Sequence, residues 1–202
     1  DHYDEHCHHL LVRDRDSRRV VGSTRLLSDA GAHRAGGFYS QGEFDLHPLL
    51  TLPGRRLEVG RTCIDPNHRQ GAAIAVLWAG LGEFVKTHRI DWLFGCASIE
   101  MADGGVVARA IMNRVRQHAM TEPACRVTPK KPLPSQPPGT WDNVSAPLPP
   151  LLKAYFRLGA KACGEACHDP HFDCADILVL VNVHEIDAAY SRHFLGRDRG
   201  AD

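Results

Sequence analysis

Two stretches hold residue types and spacings that could do chemistry. In LEVGRTCIDPNHRQGAAIAVLW, residues 57–78, Glu58 precedes Arg61 by three positions and Cys63 by five. A carboxylate held on a strand there could take a proton from a substrate within hydrogen-bond reach. Burial would raise its pKa toward a useful range. The same glutamate could instead pair with Arg61 for structure. A polar loop, His68-Arg69-Gln70, then leads to Gly71, Ala72 and Ala73, which open a helical pattern. Small residues let the backbone approach a ligand closely. The first amides of a helix have no partners within it and carry the positive end of its dipole, which suits a phosphate. Cys63 adjoins this junction, but no histidine on the strand is placed to activate a thiol, so a covalent intermediate is not expected.

The second stretch is CGEACHDPHFDC, residues 163–174. It has the composition of a metal site. Structural zinc wants two paired knuckles of two-to-four-residue spacing, and only Cys163 and Cys167 come close to one. The histidine-rich start, DHYDEHCHH, puts His8 and His9 on opposite strand faces. No bound metal or cofactor is expected.

These residues need a scaffold. HHLLVRD (8–14) and RVVGSTRLL (19–27) read as strands joined by the polar turn RDRDSR. DAGAHRAGG reads as a loop, FYSQGEFDL (38–46) as a third strand and RLEVGRTCID (56–65) as a fourth. Gly60, at the centre of that fourth strand, suggests a bulge. Ile74, Leu77, Trp78, Leu81, Phe84 and Val85 then recur at helical spacing over 70–88. DWLFGCASI (91–99) reads as a buried strand, and 102–120 as a helix with Asp103 as its N-cap. Residues 121–150, which hold most of the thirteen prolines, read as an extended connection. Helix over 150–163, strand over 175–183 and helix over 185–194 complete the chain. This order implies an α/β (α+β) fold, with a mixed, mostly antiparallel twisted sheet flanked by helices.

The 202 residues suit one domain, and 43% hydrophobic content supplies a core. No apolar run is long enough to span a membrane. Lys plus Arg and Asp plus Glu balance at 24 each, which argues against nucleic acid as a partner. Seven cysteines, mostly within apolar segments, read as free thiols in a reducing cytoplasm.

The strand–loop–helix junction resembles the acyl-donor site of the GNAT acyltransferase superfamily, with His68 where Gln or Arg is usual. GSTRLL (22–27), GEFDL (42–46) and LEVGR (57–61) resemble the acyl-homoserine-lactone synthases. DEHCHHLLV (4–12), LEVGRTCI (57–64), LFGCASI (93–99), PPLLKAYFRLGAKACGEA (149–166) and the terminal SRHFLG are similar to the ornithine Nα-acyltransferases of ornithine-lipid synthesis.

That resemblance implies a GNAT fold in a single domain over 1–202, without the helical segment that usually precedes the first strand. It implies transfer of a 3-hydroxy fatty acyl group from acyl carrier protein, or less readily coenzyme A, to the α-amine of ornithine. Glu58 would be the base and Arg61 its catalytic partner. Arg25, Glu43, Asp45 and Cys63 would line the substrate, and backbone amides near Gly60 to Cys63 would face the thioester oxygen. His68, Arg69, Gly71, Ala72 and Ala73 would hold the phosphopantetheine phosphate. Arg114, Arg116, Arg126, Lys130 and Lys131 form a basic run that could steer an acidic carrier protein. The enzyme would be cytoplasmic, or peripheral at the inner membrane. A synthase acylating another amine, and a non-catalytic module binding acyl carriers, are the competing readings.

Overall fold

The computed structural model describes residues 1–69, 72–135 and 144–186. In chain order they form β1 (His8–Arg13), β2 (Val20–Ser28), α1 (Asp29–Ala35), β3 (Phe44–Asp45), α2 (His47–Leu50), β4 (Arg56–Ile64) and α3 (Ala73–His88). They continue with β5 (Trp92–Glu100), α4 (Val106–His118), β6 (Thr128–Pro129), α5 (Pro150–Arg157), β7 (Lys161–Ala162), β8 (Cys167–Asp169) and β9 (Cys174–Asn182). The chain divides into two compact units, one of residues 1–38, 54–93 and 182 onward, the other of 39–53 and 94–181.

In the first unit β2 runs antiparallel to both β1 and β4. Val12, Val21, Ala73 and Leu77 form a buried cluster, with Leu10, Ile64 and Ile74 packed against it. Along α3, Ala73, Leu77, Leu81 and Val85 are buried, the four-residue repeat of a helix with one apolar face. A Cβ added at Gly80 would lie 3.1 Å from Leu10, so glycine lets α3 sit close over β1.

The segment DAGAHRAGG, read as a loop, is the helix α1. Ser28 caps it by accepting a hydrogen bond from the Gly31 amide, and Gly36 ends it in the left-handed conformation. Short, small-residue helices of this kind leave almost no periodic signal, but their two caps were in the sequence.

In the second unit β7 and β8 both run antiparallel to β9, and β3 pairs with β6. Cys174 to Val181 are buried without a break, as a strand covered on both faces requires. On α4, Ala108, Ile111, Met112 and Val115 are buried. Asp103 does serve this helix: its carboxylate accepts from the Gly105 and Val107 amides, both at 2.8 Å, although Gly105 is the N-cap.

Two expected elements are shorter than the pattern suggested. Residues 39–42 form a 3-10 turn, and only Phe44–Asp45 pair as a strand. The helix from Pro150 stops at Arg157, just before Gly159 takes a positive φ of 89°. After β9, Val183–Glu185 make a 3-10 turn, and the rest of the helix expected over 185–194 lies outside the described residues. Among the described residues no helix is long and apolar enough to cross a membrane.

Candidate active site

Glu58 is buried, with 4% of its surface exposed, in a strand whose next residue outward is already half-exposed. Directly opposed residues of an antiparallel pair point to the same face. The register sets Leu27 opposite Glu58 and Arg25 opposite Gly60, so Glu58 and Arg25 share a face. Tyr3 lies near both: burial chiefly raises its pKa, the Glu58 charge adds to the rise and Arg25 opposes it. The Arg25 guanidinium lies 5.6 Å from the Tyr3 ring centre and reaches Asp1 at 2.7 Å and Asp4 at 3.0 Å.

The expected bulge exists, one residue beyond Gly60. Ser23 faces Cys63 and Arg25 faces Gly60, so Thr24 alone on β2 opposes both Arg61 and Thr62 on β4. Arg61 absorbs the distortion with a positive φ of 51°. The Thr24 hydroxyl bonds the Gly60 carbonyl at 3.1 Å and the Thr62 hydroxyl at 2.8 Å, which pins the bulge from the other face. The extra residue carries Cys63 onto the face of Glu58 and Arg25. Arg61 is half-exposed and approaches Asp1 at 3.7 Å, the same aspartate that Arg25 grips.

Beyond β4, Asp65 accepts from the Asn67 amide and from the His68 ring at 3.3 Å. Those two contacts, the amide first, hold its carboxyl below the ordinary carboxylate range. The Arg69 Nε–H donates to the Ile64 carbonyl. Gln70 and Gly71 lie outside the described residues. α3 then begins at Ala73 with Ala72 as N-cap, no side-chain cap and no acid in its first turn. Ala72 is exposed and Ala73 buried.

Glu43 and Asp45 belong to the second unit and take different partners. The Cys96 thiol donates to the Glu43 carboxylate at 3.4 Å, while the Glu43 carbonyl accepts from the Lys130 amide and the Cys167 thiol. The Asp45 carboxylate accepts from the His47 amide at 3.0 Å, at the start of α2. The basic run is partly engaged locally. Arg116 makes a two-pronged ion pair with Glu165, both contacts at 2.7 Å, Lys130 bonds the Gln41 carbonyl and Arg126 the Thr121 carbonyl.

The acetyltransferase (GNAT) domain family matches residues 1–79. An L-ornithine Nα-acyltransferase of Rhizobium meliloti is 32% identical over 99% of this chain and 71% of its own length. One from Rhodobacter capsulatus is 32% identical over 99% of this chain and 80% of its own. The chain belongs to the L-ornithine Nα-acyltransferase family. It is an acyltransferase with the α/β GNAT fold. A solved N-acyl amino acid synthase from uncultured soil microbes, FeeM, shares that fold at a TM-score of 0.50, with 12% identity over 89% of this chain and 74% of that one.

In this member of the L-ornithine Nα-acyltransferase family, the cysteine-rich stretch 163–174 is built into the sheet. Cys163, Cys167 and Cys174 are buried, β8 and β9 flank the turn between them, and Cys167 stands opposite Asp176. The ligand atoms of Asp169, Cys174 and Asp176 lie within 4.8 Å of one another. Cys174 keeps its proton, its pKa pushed up to about 12 by burial and by Asp176. Sequence reasoning passed over Asp176 as a site residue; its partner Ser98, which donates at 2.5 Å, lies 78 positions away. Burial raises the Asp176 pKa against the pull of the Ser98 and Cys174 hydrogen bonds. The folded state therefore binds this proton more tightly. Stability falls as pH rises from the unfolded value through the folded one, and stays lowered above it. Asp176→Asn, which keeps an oxygen for Ser98, should melt higher than the parent at about pH 7 and closely match it at about pH 4. Equal melting temperatures at both pH values would remove Asp176 as a source of acid-side stability.

Proposed function

We propose that this enzyme transfers a 3-hydroxy fatty acyl group from acyl carrier protein to the α-amine of ornithine, giving lyso-ornithine lipid. The observation that carries the chemistry is Glu58: a buried carboxylate on the face it shares with Arg25, beside a bulged edge of β4. The ornithine acceptor follows from the names of the relatives.

Glu58 accepts a proton from the α-ammonium, directly or through one water. The freed amine attacks the thioester carbonyl carbon and a C–N bond forms. Amides near Gly60 to Cys63 donate to the oxygen that becomes negative. The tetrahedral adduct collapses and the C–S bond breaks; the leaving pantetheine thiolate takes the second proton from the attacking nitrogen, and Glu58 gives the first to water. Arg61 and Arg25 grip the amino acid's carboxylate. Cys63 lines the substrate without forming an acyl-enzyme. His68, Arg69 and Gly71, with Ala72 and Ala73 at the start of α3, take the phosphate of the donor arm.

Thiol release with 3-hydroxyacyl carrier protein and a panel of amines tests this reading. Release with ornithine well above that with glycine, tyrosine or lysine is the expected result. Preference for another amine would reassign the acceptor, and release from acyl coenzyme A alone would reassign the donor.

A further inference from the structure

We propose that the arginine-rich turn between β1 and β2 is the surface on which the acyl carrier protein docks. This rests on the reading that a carrier protein is the donor, and it names where that protein sits.

The turn is closed by hydrogen bonds and its arginines are exposed. The Asp14 amide bonds the Arg19 carbonyl at 2.9 Å, and the Ser17 amide and hydroxyl both bond the Asp14 carboxylate, at 2.8 and 2.6 Å. Arg18 takes a positive φ of 59° at the tip. Arg13, Arg15, Arg18 and Arg19 are all exposed, and none makes an ion pair among the described residues. Arg13, Asp14, Arg15 and Arg18 line a shallow open depression. Leu11 and Val20, large apolar side chains on the flanking strands, are also exposed. Asp16 is the exposed acid among these four arginines, and a surface with that excess of positive charge, edged with apolar side chains, fits an acidic amphipathic helix.

The location selects the partner. In a carrier protein the pantetheine phosphate is esterified to a serine of the protein itself, so whatever holds the phosphate lies against the carrier's surface. The loop assigned to the phosphate starts beside this turn: the Asp65 amide donates to the Val21 carbonyl at 2.9 Å. His68 lies near Asp14, and Arg19 near Asp65, closely enough to help lower the pKa of the neighbouring carboxyl. By contrast, three members of the basic run at 114–131 already spend donors within the molecule, on Glu165, Gln41 and Thr121.

The test is the double variant Arg15→Glu/Arg18→Asp, aspartate being chosen because it tolerates the left-handed backbone at the tip. Two donors with the same acyl group are compared, 3-hydroxyacyl carrier protein and 3-hydroxyacyl phosphopantetheine, the second lacking both the carrier and the adenosine phosphates. Expected is a fall of about tenfold or more in kcat/KM with the carrier at low salt, carried mainly by KM and shrinking as salt is added. The small donor should stay within about twofold. Arg15→Gln/Arg18→Asn should give a smaller loss in the same direction, and unchanged melting excludes a folding defect.

Equal losses with both donors would overturn the proposal by making the turn a phosphate contact. An unchanged carrier rate, with lost binding to phosphatidylglycerol vesicles, would overturn it by making the turn a membrane contact. Should the unaltered enzyme turn over acyl coenzyme A but neither turn over acyl carrier protein nor bind the holo-carrier in a titration, the donor reading itself fails, and the docking surface with it.

Discussion

Glu58→Gln is expected to lower the rate of thiol release by about two to four orders of magnitude, with donor KM nearly unchanged. Glutamine preserves the size of the side chain and one acceptor oxygen, so a purely structural glutamate would tolerate it with a modest loss. A base does not: the amide cannot take a proton at any useful pH. The two roles also separate by pH. Without a base the reaction draws only on amine that has already lost its proton in water. The variant should therefore regain rate as pH is raised, closing part of the gap to the parent. A structural glutamate predicts a pH-independent ratio between the two enzymes and a lower melting temperature. Burial at 4% exposure makes the position sensitive, so the melt is measured alongside the rate.

The parts of this site that are local in sequence were legible, and the parts that depend on pairing were not. β4 and α3 announced themselves through alternation and a four-residue apolar repeat, and the junction between them carried the family pattern. A bulge at the centre of β4 was expected at Gly60 because glycine takes positive φ most easily, yet Arg61 takes it. The reason lies across the sheet: Thr24 bonds both the Gly60 carbonyl and Thr62, and fixes which residue is extra. No reading of β4 alone contains that threonine. The strand read over 38–46 was misjudged for the opposite reason. FYSQGEFDL alternates well enough for a strand, but 39–42 close into a 3-10 turn and only two residues pair with β6. Glu43 and Asp45 then bond different elements. Charge runs likewise depend on pairing that sequence does not show. Arg116 and Glu165 are 49 positions apart and neutralise one another, whereas the arginines of the β1–β2 turn, unremarkable in sequence, make no ion pair among the described residues.

Ala72→Glu is the second large effect, and it should move stability and activity in opposite directions. The start of α3 has neither a side-chain cap nor an acid in its first turn, whereas Ser28 caps α1 and Asp65 accepts from the amide of Asn67 just upstream. An uncapped helix start gives up stability that a carboxylate would restore, about 0.3–1 kcal/mol for an exposed acid near the N-terminus. Ala72 is exposed, so glutamate fits without repacking. If the amides after Ala72 receive the donor's phosphate, the new carboxylate competes for them and repels the phosphodiester anion. Donor kcat/KM should then fall by roughly 10- to 100-fold, entered through KM, while the melting temperature holds or rises. Ala72→Gln separates charge from bulk and should lose much less. The bare helix start then has a physical reason: a capping acid would be stabilising and would block the donor. Were Ala72→Glu to raise stability and leave donor KM alone, the phosphate would have to be held elsewhere, and the role given to the start of α3 would go with it.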